Sequence, residues 1–292
     1  MIMKKLSRFP PDSKGNSKIR GAILFVAIGT IAVLSILVVG TTSAVTQQLK
    51  LAKYITDADT SCYAASSALE IIRSFFYNDA SPNQITLYDL RKRDIPQGPV
   101  TLQVSLTDEQ ALMNLHKADS AMLSRLPGLS DNPSCVDQIA AAGANLSVKE
   151  DILLLDGASE EVYKQFKDEL TIFGAGAVNI NTASSQALQY LGMDEALSAK
   201  IIEFRNGDDA VEATQDDRIF DITANIVTSL EPYGLSSEEI TLLNSTVASG
   251  LLATTSSFIR LHIVVEKAGK SLAVYEIVMN LGTGKAVFWK EA

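Results

Sequence analysis

Between residues 21 and 49 the chain carries no Asp, Glu, Lys or Arg. Elsewhere the shortages are of chemistry. Cys62 and Cys135 are the only cysteines in 292 residues, and without a C-x-x-C pair neither a cysteine metal site nor dithiol redox catalysis is supported. The two histidines, His116 and His262, lie near no serine or cysteine that reads as a triad. Gly282-Thr283-Gly284-Lys285 lacks the spacing of a phosphate loop and reads as a hairpin turn. Nothing in these patterns supports catalysis. No A-x-A-like site followed by a turn comes after Val39, which argues against an ordinary cleaved secretory signal. Proline and glycine are both missing from Thr41 to Pro82, so nothing there interrupts a helix.

What fills the charge-free stretch is apolar. Ala22 to Val39 reads AILFVAIGTIAVLSILVV, and twelve of its residues are Ile, Leu, Val or Phe. A helix crosses a bilayer in about 20 residues, and such a segment inserts with roughly −4 to −7 kcal/mol. Lys4, Lys5, Arg8, Lys14, Lys18 and Arg20 precede it against the single acid Asp12, so this end stays cytoplasmic and the rest lies across the membrane. Beyond it, Leu51, Tyr54, Ile55, Tyr63, Ala64, Ala68, Leu69, Ile72, Phe75 and Phe76 recur mostly at three- and four-residue steps, which predicts an amphipathic continuation of the same helix. With residues 1–21 removed, 19 basic and 33 acidic residues remain, a net charge of −14. Such a surface repels polyphosphate and anionic lipid.

The remainder predicts a sheet interrupted by helices. Asp79–Gln84 is rich in turn residues, and Pro96-Gln97-Gly98 reads as a second break. Val100, Leu102, Val104 and Leu106 then alternate with Thr101, Gln103 and Ser105 as in a strand. Three more strands follow near the end: one alternating from Phe258 to Val265, one over Leu272–Leu281 and one over Ala286–Trp289. The middle, from Asp108 to about Thr254, has helical patterning and a weak repeat. In each copy an apolar residue and a glycine lead into a short helix, at Leu155–Val162, Leu191–Ile202 and Tyr233–Ile240. Between the first two copies stands Asn179-Ile180-Asn181-Thr182-Ala183-Ser184, where Asn181 or Thr182 is expected to cap a helix and Asn179 to close the preceding turn.

The basic leader, Arg20-Gly21, the apolar helix and its amphipathic continuation together resemble the type IV pilin and pseudopilin family. With the DEQALMNL segment at Asp108–Leu115 and the NINTAS segment, the order of motifs resembles the general secretion pathway protein K family, the large minor pseudopilins of type II secretion. That resemblance implies an α+β, pilin-like fold: a long N-terminal helix packed on an antiparallel sheet, with an inserted all-α, SAM-like or helix-hairpin-helix-like domain. The expected parts are a cleaved leader (1–21), a transmembrane half-helix (22–40), amphipathic helix and first pilin-like elements (41–107), the insertion (108–254) and closing strands (255–292). The resemblance also implies cleavage between Gly21 and Ala22 by a prepilin peptidase, methylation of the new N-terminus, a single-pass inner-membrane location with a periplasmic C-terminal domain, and assembly with other minor pseudopilins. Members mostly carry a glutamate as the fifth mature residue; here it is Val26, which fits a tip subunit with no neighbour ahead of it.

Some readings stay open. The NINTAS–LGMDEALSAKIIEFR run is also the sequence form of a DNA-binding helix-hairpin-helix, as in competence receptors. Asp194, Glu195 and the acidic segment beyond oppose phosphate, so no nucleic-acid partner is expected. A minor pilin of a type IV pilus is a further alternative. Family members bind calcium in the insertion, and Asp208, Asp209, Asp216, Asp217 and Asp221 offer hard oxygen ligands without EF-hand spacing; a solvated acidic loop is the other reading. Cys62 and Cys135 either form one disulfide, as an oxidising compartment allows, or remain two thiols.

Overall fold

The computed structural model describes residues 15–77 and 83–291, with side chains from residue 21. Most of the basic leader and most of the Asp79–Gln84 break lie outside these residues. The chain divides into two units, residues 1–59 and 60–292. The helix expected from the unbroken pattern is present as α1 (Gly15–Tyr77). In the first unit its apolar side chains are exposed throughout, Phe25, Ile36 and Val39 among the most open.

The second unit begins with the last turns of α1, where Ala64, Ala65, Ala68, Leu69, Ile72 and Phe76 are buried. Three small side chains in a row of turns let the helix backbone approach the sheet closely. That sheet has five antiparallel strands in the order β1-β2-β7-β8-β9. The first two are β1 (Arg93–Gln97) and β2 (Val100–Asp108). In β2 the apolar positions of the alternation are buried while Thr101 and Thr107 are exposed, as the pattern predicts. Strand β1 was not expected, because proline normally ends a strand. It is tolerated here because β1 is an edge strand and one row of its backbone groups needs no ladder partner.

After β2 come β3 (Met113–Asn114), α2 (Ser120–Leu123), α3 (Pro133–Ala142), α4 (Glu160–Phe166), β4 (Leu170–Thr171), β5 (Val178–Asn179), α5 (Ser185–Tyr190), α6 (Glu195–Arg205), α7 (Ile226–Leu230), α8 (Ser237–Ala248) and β6 (Leu252–Ala253). Helices predominate, but two short parallel ladders, β3–β4 and β5–β6, tie the segment's ends to its interior. This stretch buries its own core from Met113 to Leu252, apart from the helix-on-sheet core. The three-copy repeat has a shared geometry. Gly157, Gly192 and Gly234 sit at φ of 84°, 96° and 73°, a region that L-residues avoid. In each copy the next residue, Ala158, Met193 or Leu235, packs on the core, and the one after, Ser159, Asp194 or Ser236, caps the following helix. The strands β7 (Phe258–Lys267), β8 (Lys270–Asn280) and β9 (Lys285–Glu291) complete the sheet.

A buried polar knot closes the loop between β2 and β7. Asp108 is fully buried; its Oδ1 accepts the Gln110 N–H at 2.8 Å, and its Oδ2 accepts Asn179 Nδ2 at 3.0 Å, the Thr182 hydroxyl at 2.5 Å and the Ser256 hydroxyl. Glu109, also buried, accepts from Thr171 and from Arg260 Nε at 2.5 Å, while Gln110 Oε1 accepts the Ser257 N–H. Asn181 accepts the Phe220 N–H at 2.8 Å and donates to the carbonyls of Phe220 (3.1 Å) and Thr254 (3.0 Å). The cap expected of Asn181 or Thr182 therefore belongs to Ser184, which receives the Ala187 N–H at 3.0 Å. Asn179 does close the turn, accepting the Asn181 N–H at 3.1 Å.

Burial pushes the Asp108 carboxyl above the ordinary carboxylate range, although its hydrogen bonds pull the other way. The folded chain thus holds this proton to higher pH than the unfolded one, so the contribution of Asp108 to stability is largest below about pH 4 and declines as pH rises toward the folded value. Asp108→Ala removes the shared acceptor of two amide and two hydroxyl donors in the interior. We expect it to lower unfolding free energy by about 1–3 kcal/mol in urea titrations of the detergent-solubilised chain. An unchanged midpoint would show that the knot contributes nothing.

Candidate functional site

The N-terminal helix is the part of the chain whose surface matches no aqueous setting. An 18-residue window within it has a mean hydropathy of 2.9 and none of it is buried, so by length and composition this helix can cross a membrane. Every large apolar side chain from Ile23 to Val39 is exposed. The few polar groups are satisfied locally. Thr30 donates to the Ala27 carbonyl at 2.9 Å, Ser35 to Ile31 at 2.8 Å and Thr41 to Leu37 at 2.9 Å, as a hydrocarbon surrounding requires. Val26 is exposed among them.

Gly21 and Ala22 both lie within α1. A Cβ added at Gly21 would meet nothing within 4 Å. Helical glycine costs about 0.5–1 kcal/mol relative to alanine, and no close contact at Gly21 requires it.

Further along, the helix leaves more apolar side chains open. Leu51, Tyr54 and Ile55 are exposed, and within the second unit so are Tyr63, Ile71 and Phe75. Of the apolar positions read from the sequence, then, only Ala64, Ala68, Leu69, Ile72 and Phe76 serve the folded core. Cys62 is a free, exposed thiol on α1. Cys135 is also free; it is buried near the start of α3, and its surroundings push the thiol pKa up. The disulfide is thus absent: one sulfur belongs to the core of the helical segment and the other to an open helix surface.

The α5–α6 hairpin is built into the fold. Asp194 caps α6 by accepting the Leu197 N–H at 2.8 Å. Lys200 on α6 is paired with Glu239 at 2.7 Å and donates to the Gly234 carbonyl at 2.9 Å, which fastens the second repeat to the third. Arg205 was not singled out from the sequence, where an isolated arginine carries no periodic signal. It is buried, donates to the carbonyls of Ile180 (3.0 Å) and Ala183 (2.6 Å), and pairs with Glu212 at 3.1 Å, so it ties the NINTAS backbone to the acidic loop.

The acids of that loop are turned onto their own backbone. Asp216 Oδ2 accepts the N–H groups of Asp208 (2.9 Å) and Asp209 (3.1 Å), and Asp217 accepts those of Ala213 and Thr214, both at 3.1 Å. Asp208 pairs with Arg218, and the Asp221 carbonyl accepts from Thr254 at 3.2 Å. Among the described residues no group of three or more His, Cys, Asp or Glu side chains is arranged to hold a metal ion. Of the five acids read as calcium ligands, Asp216 and Asp217 cap adjacent turns and Asp208 pairs with Arg218. Gly207 is required here: φ is 66°, and a Cβ would lie 2.3 Å from the Asp216 carbonyl.

The Thr214 hydroxyl and the backbone donors hold the Asp216 carboxyl down at about 2. A depressed folded pKa stabilises above the unfolded value near 4 and loses that support as pH falls toward 2. Asp216→Ala should speed hydrogen exchange at the Asp208 and Asp209 amides at neutral pH, while the β8 amides stay protected. Equal exchange in both proteins would contradict the capping role.

No protein-family profile and no curated protein matches the sequence. Among solved structures, a chain of the GspK–GspI–GspJ complex from the type 2 secretion system of enterotoxigenic Escherichia coli is similar, with a TM-score of 0.61 at 15% identity. The match covers 84% of this chain and 99% of that one. At this identity the likeness is one of fold. A long apolar N-terminal helix, an antiparallel sheet and a helical segment between its strands make this a pilin-like fold.

Proposed function

We propose that the chain is a minor pseudopilin of a type II secretion system, of the protein K kind, acting at the tip of the periplasmic pseudopilus in protein export. The observation that carries this reading is the joining of an exposed, membrane-length apolar helix to a pilin-like fold that matches a pseudopilin complex over nearly its whole length. In this reading a prepilin peptidase cuts between Gly21 and Ala22, the new N-terminus is methylated, and the apolar helix stays in the inner membrane until it enters the fibre. The steric irrelevance of Gly21 supports a role in recognition by the peptidase. The exposed Tyr54, Ile55 and Tyr63 support contact with other minor pseudopilins, and Val26 in place of a carboxylate supports a subunit with no neighbour ahead of it. The helical segment between β2 and β7 would then cover the top of the fibre and stop further addition.

Gly21→Leu should leave a chain that keeps its leader, seen as a larger membrane-bound species on denaturing gels of cells making the peptidase. Normal processing of this variant would contradict the assignment. The rival reading, a tethered DNA receptor, predicts salt-sensitive binding of duplex DNA by the solubilised protein. The pairing of Lys200 with Glu239 and the net charge of the processed chain lead us to expect no shift at 50 mM salt or above.

A further inference from the structure

The chain contains one Asn-Gly step, Asn206-Gly207, and it stands where α6 runs into the acidic loop. Such a pair is reactive by its own chemistry, because glycine leaves the next backbone nitrogen unshielded by a side chain. Attack of the Gly207 nitrogen on the Asn206 Cγ forms an N–Cγ bond and breaks the Cγ–Nδ2 bond. The displaced Nδ2 leaves as ammonia with the proton lost from Gly207, and a five-membered succinimide remains. Water then opens the ring at either of its carbonyl carbons. One product is aspartate at 206; the other is isoaspartate, which takes an extra methylene into the main chain.

The closed loop forbids that ring. Asn206 has a φ of −66° and a ψ of 0°. Ring closure needs the Gly207 nitrogen in line with the Asn206 Cβ, a rotation of ψ by roughly 120° into a region that sterics disfavour. The backbone on both sides of the step is fastened against it. The Asn206 N–H donates to the Ile202 carbonyl at 3.0 Å, and the Arg218 N–H reaches back to the Arg205 carbonyl at 2.8 Å. The N–H groups of Asp208 and Asp209 are held by Asp216 Oδ2, and the Asp216 carbonyl lies against the place that a Gly207 Cβ would occupy.

The same side chain is poorly matched to the product. Asn206 is half-buried, and its Oδ1 is buried with no hydrogen-bond partner among the described residues. An amide oxygen bears such a place at modest cost, whereas an ionised carboxylate without a donor does not. The cations beside it are already used, Arg205 by Glu212 and Arg218 by Asp208. The rest of the loop adds only like charge.

We propose that Asn206 is a modification site guarded by the acidic loop: its amide is lost through the Gly207 nitrogen when the loop opens, and the carboxylate or isoaspartate so formed keeps the loop from closing again. The end of α6 thereby carries a one-way chemical switch whose rate is set by the opening of the loop. The inference is independent of the secretion reading, since it needs neither a partner nor processing at Gly21.

The test follows residues 206–218, which trypsin releases by cutting after Arg205 and Arg218. Mass spectrometry counts the acid form of this peptide after the detergent-solubilised full chain has stood in mildly alkaline buffer. A sample digested at the start corrects for conversion during digestion. Conversion is expected to be roughly tenfold or more slower in the folded chain than in guanidinium chloride. Asp216→Ala, which removes the acceptor of the Asp208 and Asp209 amides, should speed folded-state conversion by about threefold or more. Asn206→Asp carries the direct product, and its Asp208 and Asp209 amides should exchange hydrogen faster than the parent's while the β8 amides stay protected. Equal conversion in buffer and denaturant, or none in either, would overturn the proposal. So would parent-like exchange in Asn206→Asp. The comparison of buffer with denaturant uses the parent alone, so it decides the matter should Asp216→Ala fold poorly by circular dichroism.

Discussion

The second unit depends on a carboxylate that water does not reach. Asp108 ends β2, and its hydrogen bonds reach the NINTAS turn and Ser256, just before β7. A strand end, a mid-chain turn and the return to the sheet thus share one acceptor. Burying a carboxylate is costly unless its lone pairs are filled, and four donors fill these. The neighbouring Glu109 and Gln110 repeat the arrangement toward Arg260 and Ser257. A long helical excursion can leave an antiparallel pair without separating it because its two ends are fastened here. β2 and β7 remain hydrogen-bonded neighbours although some 150 residues lie between them.

How much of this was readable in advance varied with the range of the interactions. The apolar helix, β2 and the closing strands declared themselves by period, because one face of each meets either one core or none. The repeat was visible as glycines before helices, and its meaning became plain when Gly157, Gly192 and Gly234 all took left-handed φ. Strand β1 stayed hidden because Pro96 is a break in every position but an edge. The NINTAS residues were assigned to a local cap, whereas Asn179, Asn181 and Thr182 bond to residues 39 to 77 positions away. Sequence spacing carries no information at that distance. Likewise, a row of aspartates does not show from its spacing that Asp216 and Asp217 cap their own turns.

The helix poses the functional question. Its first half is apolar on every side, and its hydroxyls donate to carbonyls of the preceding turn. Its last turns bury alanines and aliphatic residues against the sheet while leaving Tyr63 and Phe75 outward. The helix thus changes character along its length, apolar and exposed in its first half and packed on its own sheet at the end. In the proposed reading, a fibre built from such helices would account for an apolar half that is kept after a basic leader is removed.

The most direct test of that account is the intact mass of the protein purified from the membranes of cells that process it. The account predicts a single species beginning at Ala22 and carrying one N-terminal methyl group. A mass corresponding to a start beyond Val39, or to an intact Met1, would contradict it.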